Sequence, residues 1–212
     1  MSINFIISIV LGYLIGAIPF TQIVAKWRKG IDLREVGSKN VGGMNTINTI
    51  GLGWGLFAGI LDVLKGILSL IVANGIGVEY PVSIWAGLAA IAGHNWPIWL
   101  GFRGGKGIAT AIGLCLYVAP AETLTAFVAA FMLYWVVKRN IVITALVLFI
   151  TTAVLMIRNG YPSEATAIVW GSILIMLIAS FPSILRTFRS PGGLKGYMSN
   201  PNEVYEDKKK NK

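Results

Sequence analysis

Long apolar runs alternate with short polar connections along the chain. An α-helix needs about 20 apolar residues to cross the hydrocarbon core of a bilayer. Seven runs meet or approach this length and are predicted to be membrane-spanning helices: Ile3–Ala25, Gly51–Val78, Val82–Leu100, Ile108–Ala119, Glu122–Val137, Ile141–Ile157 and Ala165–Leu185. The fourth run is long enough for only about 18 Å of helix, so we expect a short segment that crosses or re-enters the membrane there.

The composition indicates that lipid surrounds these helices. Of the 212 residues, 55% are hydrophobic and only 13% are charged, and the mean hydropathy is +0.71. A soluble domain has about a quarter charged residues, so this chain has too little polar surface for a hydrated shell. A soluble function is excluded, and the predicted fold class is an all-α integral membrane protein, a bundle of seven transmembrane helices.

The lysines and arginines predict the orientation of this bundle. Short loops rich in these residues lie on the cytoplasmic side. All of them fall in the first, third and fifth loops or after the last run, except Lys65 in the second run and Arg158 in the sixth loop. The N-terminus is therefore predicted outside and the C-terminus in the cytoplasm. Residues 1–189 are predicted to form one membrane domain, and residues 190–212 a polar, basic, disordered tail.

The low numbers of cysteines and histidines exclude several common metal and disulfide sites. Cys115 is the only cysteine and His94 the only histidine. An intramolecular disulfide, a cysteine-rich zinc site and a polyhistidine metal centre are therefore excluded. We expect Cys115 to be a small core or lipid-facing residue, and we predict neither a metal site nor a bound cofactor.

The first polar connection contains the stretch GSKNVGGMNT at residues 37–46. Glycines let the backbone take positive φ values and approach a ligand closely. Successive N–H groups in such a turn form an anion-binding nest, to which serine and asparagine side chains add donors. The alternative is a flexible connector without a ligand. The candidate phosphate-binding residues here are Gly37, Ser38, Lys39, Asn40, Gly42 and Asn45.

A second glycine-rich stretch, GFRGGKG at residues 101–107, comes directly before the fourth apolar run. The N-terminus of a helix supplies N–H donors and a partial positive charge for an anion, and a lysine adds a full charge. The spacing of a nucleotide-binding Walker motif is missing, so nucleotide hydrolysis is not implied. The alternative is a tight basic turn. The candidate residues are Gly104, Gly105, Lys106 and Gly107.

Asp62, Lys65 and His94 are ionisable residues that occur inside apolar runs. Asp62 and Lys65 share one helix face at a spacing of three, and a charge inside the membrane costs roughly 2.5–3.5 kcal/mol unless it meets a partner or a wet cavity. We expect an ion pair, facing a cavity or purely structural. His94, in GHNWP at residues 93–97, either lines the same cavity or is a hydrogen-bonded core residue. Together with the two loops, these residues suggest a substrate with a phosphate head and an apolar tail.

The order of these motifs resembles a known family. GSKNVGGMN (37–45), DVLKG (62–66), GHNWPIWLGFRGGKGIAT (93–110) and the basic pair Lys138–Arg139 occur in the order found in the bacterial acyl-phosphate:glycerol-3-phosphate acyltransferases. The resemblance extends from the first apolar run to the seventh. The family also has seven spans with the N-terminus outside, which agrees with the distribution of basic residues.

The resemblance implies transfer of a fatty acyl group from acyl phosphate to the 1-hydroxyl of glycerol 3-phosphate. The products would be lysophosphatidate and phosphate, in phospholipid biosynthesis, at the cytoplasmic face of the cell membrane. It implies no cofactor and no metal. The expected partners are both substrates and membrane lipid, with other lipid-synthesis enzymes as candidates and no nucleic acid. It also implies that Lys106, His94 and Ser38 are catalytic and that Arg139 joins the phosphate-binding residues.

Six positions depart from the family's usual residues. The family usually has glycine at Lys39, threonine at Met44, arginine at Asn48, serine at Val142, histidine at Ser180 and asparagine at Ser183. Lysine at position 39 is a point charge that can replace the missing arginine. Three alternatives to the acyltransferase stay open: a relative with another acceptor, a non-catalytic subunit, and a transporter of a phosphorylated metabolite or lipid.

Overall fold

The computed structural model describes residues 2–136 and 140–188. Within these residues the chain forms nine α-helices, a 3₁₀ turn at Ile98–Leu100 and no β-strand. The helices are α1 (Ile3–Ala17), α2 (Phe20–Lys29), α3 (Gly43–Ile50), α4 (Leu52–Gly75), α5 (Ile84–Asn95), α6 (Ile108–Val118), α7 (Pro120–Val136), α8 (Ile141–Arg158) and α9 (Ser163–Phe188). The all-helical prediction is confirmed. The pair Lys138–Arg139 and the tail at residues 190–212 lie outside the described residues.

Each of the seven predicted runs contains helix, but the first run contains two. Pro19 lacks an N–H group and separates α1 from α2. Within residues 2–136 and 140–188, four helical stretches are long and apolar enough to cross a membrane, and α6 is a shorter apolar helix. The four are Ile3–Lys29, Leu52–Gly75, Ile141–Arg158 and Ser163–Leu185. Seven crossings and the orientation of the termini stay predictions.

In the first polar connection, the structure differs from the expectation that residues 37–46 form a single loop. Its last part is not a turn, because Gly43–Ile50 forms helix α3 and Gly42 precedes it in extended conformation. Gly51, with a φ of 106°, ends α3, and α4 follows directly. The polar stretch therefore consists of a tight loop up to Gly42 and the first turn of a short helix.

Small residues let the central helices approach closely. A Cβ atom on Gly12 or Gly16 of α1 would overlap the backbone carbonyls of Ala86 and Ala90 on α5. Likewise a Cβ on Gly66 of α4 would overlap the carbonyl of Thr110 on α6. Helices in membranes usually pack through small residues in this way. The hydrophobic effect does not drive helices together in lipid, so close van der Waals contact must do so.

Two main apolar clusters, and a third small one of Ala73, Val78 and Ala86, hold the described helices together. The larger includes Phe149, Met156, Leu114 and the predicted core residue Cys115, all fully buried between α5, α6, α8 and α9. A smaller cluster lies beneath the first polar loop, and its members are Val24, Ala25, Leu33, Val41, Ile50 and Ala58. Large apolar side chains are exposed along the long helices, as expected of a surface that faces lipid.

Candidate functional site

A cavity of about 670 Å³ lies where the first polar loop, the glycine-rich loop and the end of α9 meet. The structure brings most of the predicted site residues to this cavity: Ser38, Lys39, Asn40, Gly42, Asn45, Asp62, His94, Gly104, Gly105, Lys106 and Gly107. Gly37 and Lys65 are not among the lining residues, and Arg139 lies outside the described residues. The two loops and the end of α5 therefore form one site, although they are far apart in the chain.

Backbone hydrogen bonds join the glycine-rich loop to the end of α5 and to the first polar loop. The N–H of Gly104 donates to the carbonyl of Asn95, and that of Gly105 to the carbonyl of His94, both at 3.1 Å. The N–H of Val41 donates to the carbonyl of Gly104 at 3.3 Å. These bonds fix the position of Lys106 between the two loops.

Close packing explains the glycines at two of these positions. A Cβ on Gly105 would overlap Nε2 of His94 and lie 2.6 Å from the carbonyl oxygen of Val41. Gly107 has a φ of 75°, which side chains rarely adopt, and its Cβ would lie 2.6 Å from Oδ1 of Asn95. The loop can take this path only with glycine at both positions.

The side chain of Asn45 has a structural role in the first polar loop. Its Nδ2 donates to the carbonyls of Leu33, Val36 and Asn40 at 3.0–3.2 Å, and its Oδ1 accepts from the N–H of Ser38 at 3.1 Å. The donors of this side chain are therefore directed at backbone carbonyls, and a contact with an anion stays a prediction. Buried beneath the loop, this amide satisfies backbone groups and holds the loop in its turn.

The predicted backbone nest is also largely occupied by internal bonds. The N–H groups of Ser38, Lys39 and Gly42 donate to Asn45, Val36 and Asn40 respectively. Helix α3 begins at the same place, and no side chain caps its first N–H groups. Helix α6 likewise begins at the cavity without a side-chain cap. The N–H groups that remain without a side-chain cap beside the cavity are thus those at the starts of two helices.

A buried group of charges lies below the glycine-rich loop. Asp62 and Lys65 are 1% and 2% exposed, and Lys65 Nζ lies 2.9 Å from Asp62 Oδ1, as the spacing predicts. Lys65 also donates to the carbonyl of Ile18, where Pro19 interrupts the first run. Nδ1 of His94 lies 3.6 Å from the same Asp62 oxygen. Asp62 and His94 reach the cavity, whereas Lys65 points to the break between α1 and α2.

Positive charge dominates the cavity wall. Arg34, Lys39, Arg103 and Lys106 line it, and Asp62 is the only carboxylate among the lining residues. Arg34 is committed to structure, because it pairs with Asp32 at 2.6 Å and donates to the carbonyl of Leu100. The hydrogen bond from Arg34 lowers the pKa of Asp32 to about 2, despite some desolvation. The net positive charge of this wall suits an anionic ligand.

Some lining residues carried no signal in the sequence. Arg34 and Arg103 were counted only as loop cations, and Ala179 and Pro182 of α9 belong to no motif. Lys39 and Phe102, both at the cavity mouth, are the two residues other than glycine with a positive φ in the described chain, 58° and 61°. Such conformations often occur at functional sites. The positive φ values of Lys39 and Phe102 depend on turn geometry, which none of the sequence motifs specifies.

Four of the six family-deviant positions lie at the cavity. Lys39, Met44, Asn48 and Ser183 line it. Val142 does not, although its neighbour Ile141 does, and Ser180 is fully buried one turn before Ser183. Ser183 donates to the carbonyl of Ser180 at 2.7 Å. The departures therefore change the lining of the site rather than the distant surface.

The fold and the cavity define a class: an all-helical protein with lipid-facing helices, whose polar site presents cations and two helix starts to an anion. Comparison with known families agrees. The chain belongs to the glycerol-3-phosphate acyltransferase family, whose profile matches residues 6–189. The family resemblance inferred from the motifs and the prediction of an enzyme class are confirmed.

Individual relatives support the same assignment. The chain is 40% identical over 186 residues to glycerol-3-phosphate acyltransferase 5 of Dehalococcoides mccartyi, covering 84% of this chain and 77% of the relative. It is similar to the crystal structure of PlsY (YgiH), an integral membrane glycerol 3-phosphate acyltransferase, in its glycerol 3-phosphate form. That match has a TM-score of 0.77 and 32% identity, over 86% of this chain and 90% of PlsY.

A second PlsY structure, the lysophosphatidic acid form, gives a TM-score of 0.74 with 30% identity over the same shares of both chains. Since PlsY is an integral membrane protein and the match extends over most of this chain, the predicted integral membrane fold is confirmed.

Proposed function

We propose that this protein transfers a fatty acyl group from an acyl phosphate to the 1-hydroxyl of glycerol 3-phosphate, giving lysophosphatidate and orthophosphate in phospholipid biosynthesis. Both substrates carry a phosphate group. The observation that carries the proposal is that the uncapped starts of α3 and α6 open into one cation-lined cavity. Each helix start offers N–H donors and a partial positive charge to a phosphate.

The relatives support the acceptor and the product. PlsY has been solved in a glycerol 3-phosphate form and in a lysophosphatidic acid form, which correspond to one substrate and one product of the proposed reaction. The acyl phosphate as donor rests on the motif resemblance. A cavity of about 670 Å³ is within the usual range for small-molecule sites.

The chemistry suits a site without a covalent nucleophile. An acyl phosphate is an activated mixed anhydride, so positioning and stabilisation of negative charge are the main requirements. The acceptor oxygen forms a bond to the acyl carbon, the bond from that carbon to the phosphate oxygen breaks, and the hydroxyl proton leaves with orthophosphate. Lys106, beside the start of α6, would stabilise the charge that develops on a phosphate group.

We assign one phosphate group to each helix start. The start of α6 with Gly104, Gly105, Lys106 and Gly107 would bind one, and the start of α3 with Ser38, Lys39, Asn40 and Gly42 the other. Gly37, with a φ of 56°, would shape the turn before Ser38 without touching the ligand. Arg139 stays a proposed further cation for phosphate.

His94 and the buried ion pair are assigned positioning roles. The carbonyl of His94 accepts from the N–H of Gly105, and its Nε2 packs directly on Gly105. Asp62 lies beside the other ring nitrogen, and Lys65 pairs with Asp62. The pair would thus fix the imidazole, which in turn fixes the glycine-rich loop at the start of α6.

The proposed topology has seven spans in one domain, residues 1–189, followed by a cytoplasmic tail at residues 190–212. The N-terminus would lie outside and the cavity at the cytoplasmic face of the cell membrane. The basic residues of the first and third loops support this, because Lys39, Arg103 and Lys106 all reach the cavity. Arg158 is the last residue of α8 and is not among the residues that line the cavity.

The test is orthophosphate release from palmitoyl phosphate by the purified protein, with and without glycerol 3-phosphate. We expect release above the spontaneous rate only with the acceptor, matched mole for mole by lysophosphatidate. Palmitoyl-coenzyme A offered in place of palmitoyl phosphate should give no product. Release that the acceptor leaves unchanged would contradict the proposal, and a panel of other alcohols would then show whether the residues at Asn48 and Val142 belong to a different acceptor.

A further inference from the structure

An arginine in contact with two tryptophan rings lies outside the cavity, where the end of α2 meets the start of α4. Its members, Trp27, Arg28, Trp54 and Phe57, are named here the aromatic–arginine corner. Cζ of Arg28 lies 4.3 Å from the ring centroid of Trp54 and 5.4 Å from that of Trp27. The two indoles meet edge to face, with centroids 5.3 Å apart, and Trp54 meets Phe57 in the same way.

The corner and the end of α2 carry positive charge that forms no ion pair with a carboxylate of the described residues. Lys26 and Lys29 flank Arg28 in the last turn of α2. Lys29 donates to the carbonyl of Thr49 at 2.9 Å, which ties α2 to the end of α3. Asp32, the next acid along the chain, is paired with Arg34. Among the described residues, none of the three α2 cations has a carboxylate within ion-pair distance.

Contact with the two indoles prepares Arg28 to bind a phosphate group. A guanidinium flat against an indole keeps its N–H edge directed outward, and this edge matches two oxygens of a phosphate. Tryptophan is enriched at the level of lipid head groups, and Trp27 is 68% exposed. We propose that the aromatic–arginine corner binds the head group of an anionic phospholipid, at a site separate from the cavity.

This site would act on the cavity through Trp54. The Trp54 ring packs against the smaller apolar cluster, which contains Leu33 and Val41 beneath the first polar loop. A head group that holds Arg28 and Trp54 together therefore stabilises the support of one cavity wall. In the proposed orientation the corner faces the cytoplasmic leaflet, where anionic lipids are concentrated.

A simpler role for the α2 cations makes a different prediction. Basic residues in the last turn of a helix interact favourably with the helix dipole and need no ligand for this. If that were their whole role, removing Arg28 would change stability equally in anionic and in zwitterionic lipid. A head-group site instead predicts that the benefit of anionic lipid depends on Arg28.

The experiment uses the sole cysteine as an unfolding probe. Cys115 is fully buried, so a thiol-reactive dye reports unfolding of the purified full-length protein in detergent micelles. Phosphatidylglycerol should raise the unfolding temperature above that in phosphatidylcholine by about 4 °C. Arg28→Gln should lose more than half of this shift. Arg158→Gln, which removes an exposed cation outside the corner and the cavity, should retain all of it.

A second variant covers the case in which Arg28→Gln fails to fold. Trp27→Leu removes one face of the stack at an exposed position, and it should also reduce the shift with phosphatidylglycerol. Equal shifts in the wild type and in the variants that fold would overturn the proposal, as would a wild-type protein that responds equally to both lipids. No substrate is present, so the result is independent of the acyl transfer proposed above.

Discussion

At the residue scale, Gly107 meets two independent constraints. Its φ of 75° disfavours any side chain, and a Cβ there would lie 2.6 Å from Asn95 Oδ1. We expect Gly107→Ala to lower the rate of acyl transfer at least about tenfold, because the loop must move away from α5 and small displacements of a phosphate site are costly. Initial rates with palmitoyl phosphate and glycerol 3-phosphate measure the effect.

Gly160 provides the matched control for that variant. Its φ is 76°, nearly the same, but no atom lies within 4 Å of an added Cβ, and it lies in the connection between α8 and α9. Gly160→Ala should cost about 1 kcal/mol of stability from backbone strain and leave the rate unchanged. A Gly107→Ala enzyme as active as Gly160→Ala would contradict the proposed loop geometry.

Most residues that the sequence predicted for the site line the cavity, but the partners of some side chains could not be predicted, for a physical reason. Gly104 to Gly107 were predictable because a glycine–lysine loop before a helix has a general affinity for anions. The hydrogen bonds of Asn45 were not predictable because its partners include the carbonyl of Leu33, twelve residues away. Arg34 was missed for the same reason, since it reaches Leu100, 66 residues away. Residue type indicates which bonds a side chain can make, but the fold selects the partner.

At the element scale, the packing of α1 on α5 depends on glycine. A Cβ on Gly16 would overlap the backbone carbonyl of Ala90, which cannot move without its helix. Gly16→Ala should therefore destabilise the protein by about 2 kcal/mol through overpacking. Thermal unfolding followed with a dye at Cys115 measures it.

The matched variant at another helical glycine should have the opposite effect. Gly53 lies in the first turn of α4 with no atom within 4 Å of an added Cβ. Gly53→Ala should raise the free energy of unfolding by roughly 0.5–1 kcal/mol, because alanine reduces the entropy of the unfolded chain. If Gly16→Ala also raised the unfolding temperature, α1 and α5 would not pack as described.

The connection between α2 and α3 should be sensitive to acid. The hydrogen bond from Arg34 lowers the pKa of Asp32 from 3.8 to about 2. Because the folded pKa is the lower one, the pair stabilises the fold above pH 4 and loses this contribution as the pH falls toward 2. Asp32→Asn should cost about 1 kcal/mol or less at pH 6, given its partial exposure.

Unfolding of both forms, followed by tryptophan fluorescence between pH 2.5 and 6, tests this dependence. The difference between wild type and Asp32→Asn should shrink steadily toward the acid end. A difference that stays constant across the range would mean that the carboxylate charge contributes nothing.

The sequence predicted the long helices better than the short ones. Apolar length identified α4, α8 and α9, because only a helix satisfies the backbone in lipid. Helix α3 was missed because its eight residues begin inside a glycine- and asparagine-rich stretch that reads as a turn. The break at Pro19 was missed because the apolar run continues through it. The length and hydropathy of an apolar run do not reveal a helix break inside it or a short helix beside it.

At the scale of the whole molecule, the proposed orientation can be tested with single cysteines. In a Cys115→Ser background, Lys29→Cys and Arg158→Cys each place one thiol at an exposed position. A membrane-impermeant maleimide added to intact cells should label Arg158→Cys and leave Lys29→Cys unlabelled until the membrane is opened. Labelling of both positions from outside, or of Lys29→Cys alone, would contradict seven spans with the N-terminus outside.

The position and lining of the cavity also favour the proposed enzyme over a transporter and over a non-catalytic subunit. A transporter needs a polar path with gates on both faces, whereas the cavity is lined by the first and third loops and the adjoining ends of the helices. A non-catalytic subunit has no need to keep Lys106 beside an uncapped helix start. Family membership and the retained geometry of both loops favour acyl transfer by this chain.

Lysophosphatidate formation by Lys106→Ala, compared with Arg158→Ala, tests the central claim most directly. The purified variants receive palmitoyl phosphate and glycerol 3-phosphate, and the product is quantified by mass spectrometry. Loss of a cation that stabilises developing charge should lower the rate by about a hundredfold or more, whereas Arg158→Ala should match the wild type. A Lys106→Ala protein that forms lysophosphatidate at the wild-type rate would show that the start of α6 is not where the phosphate is held.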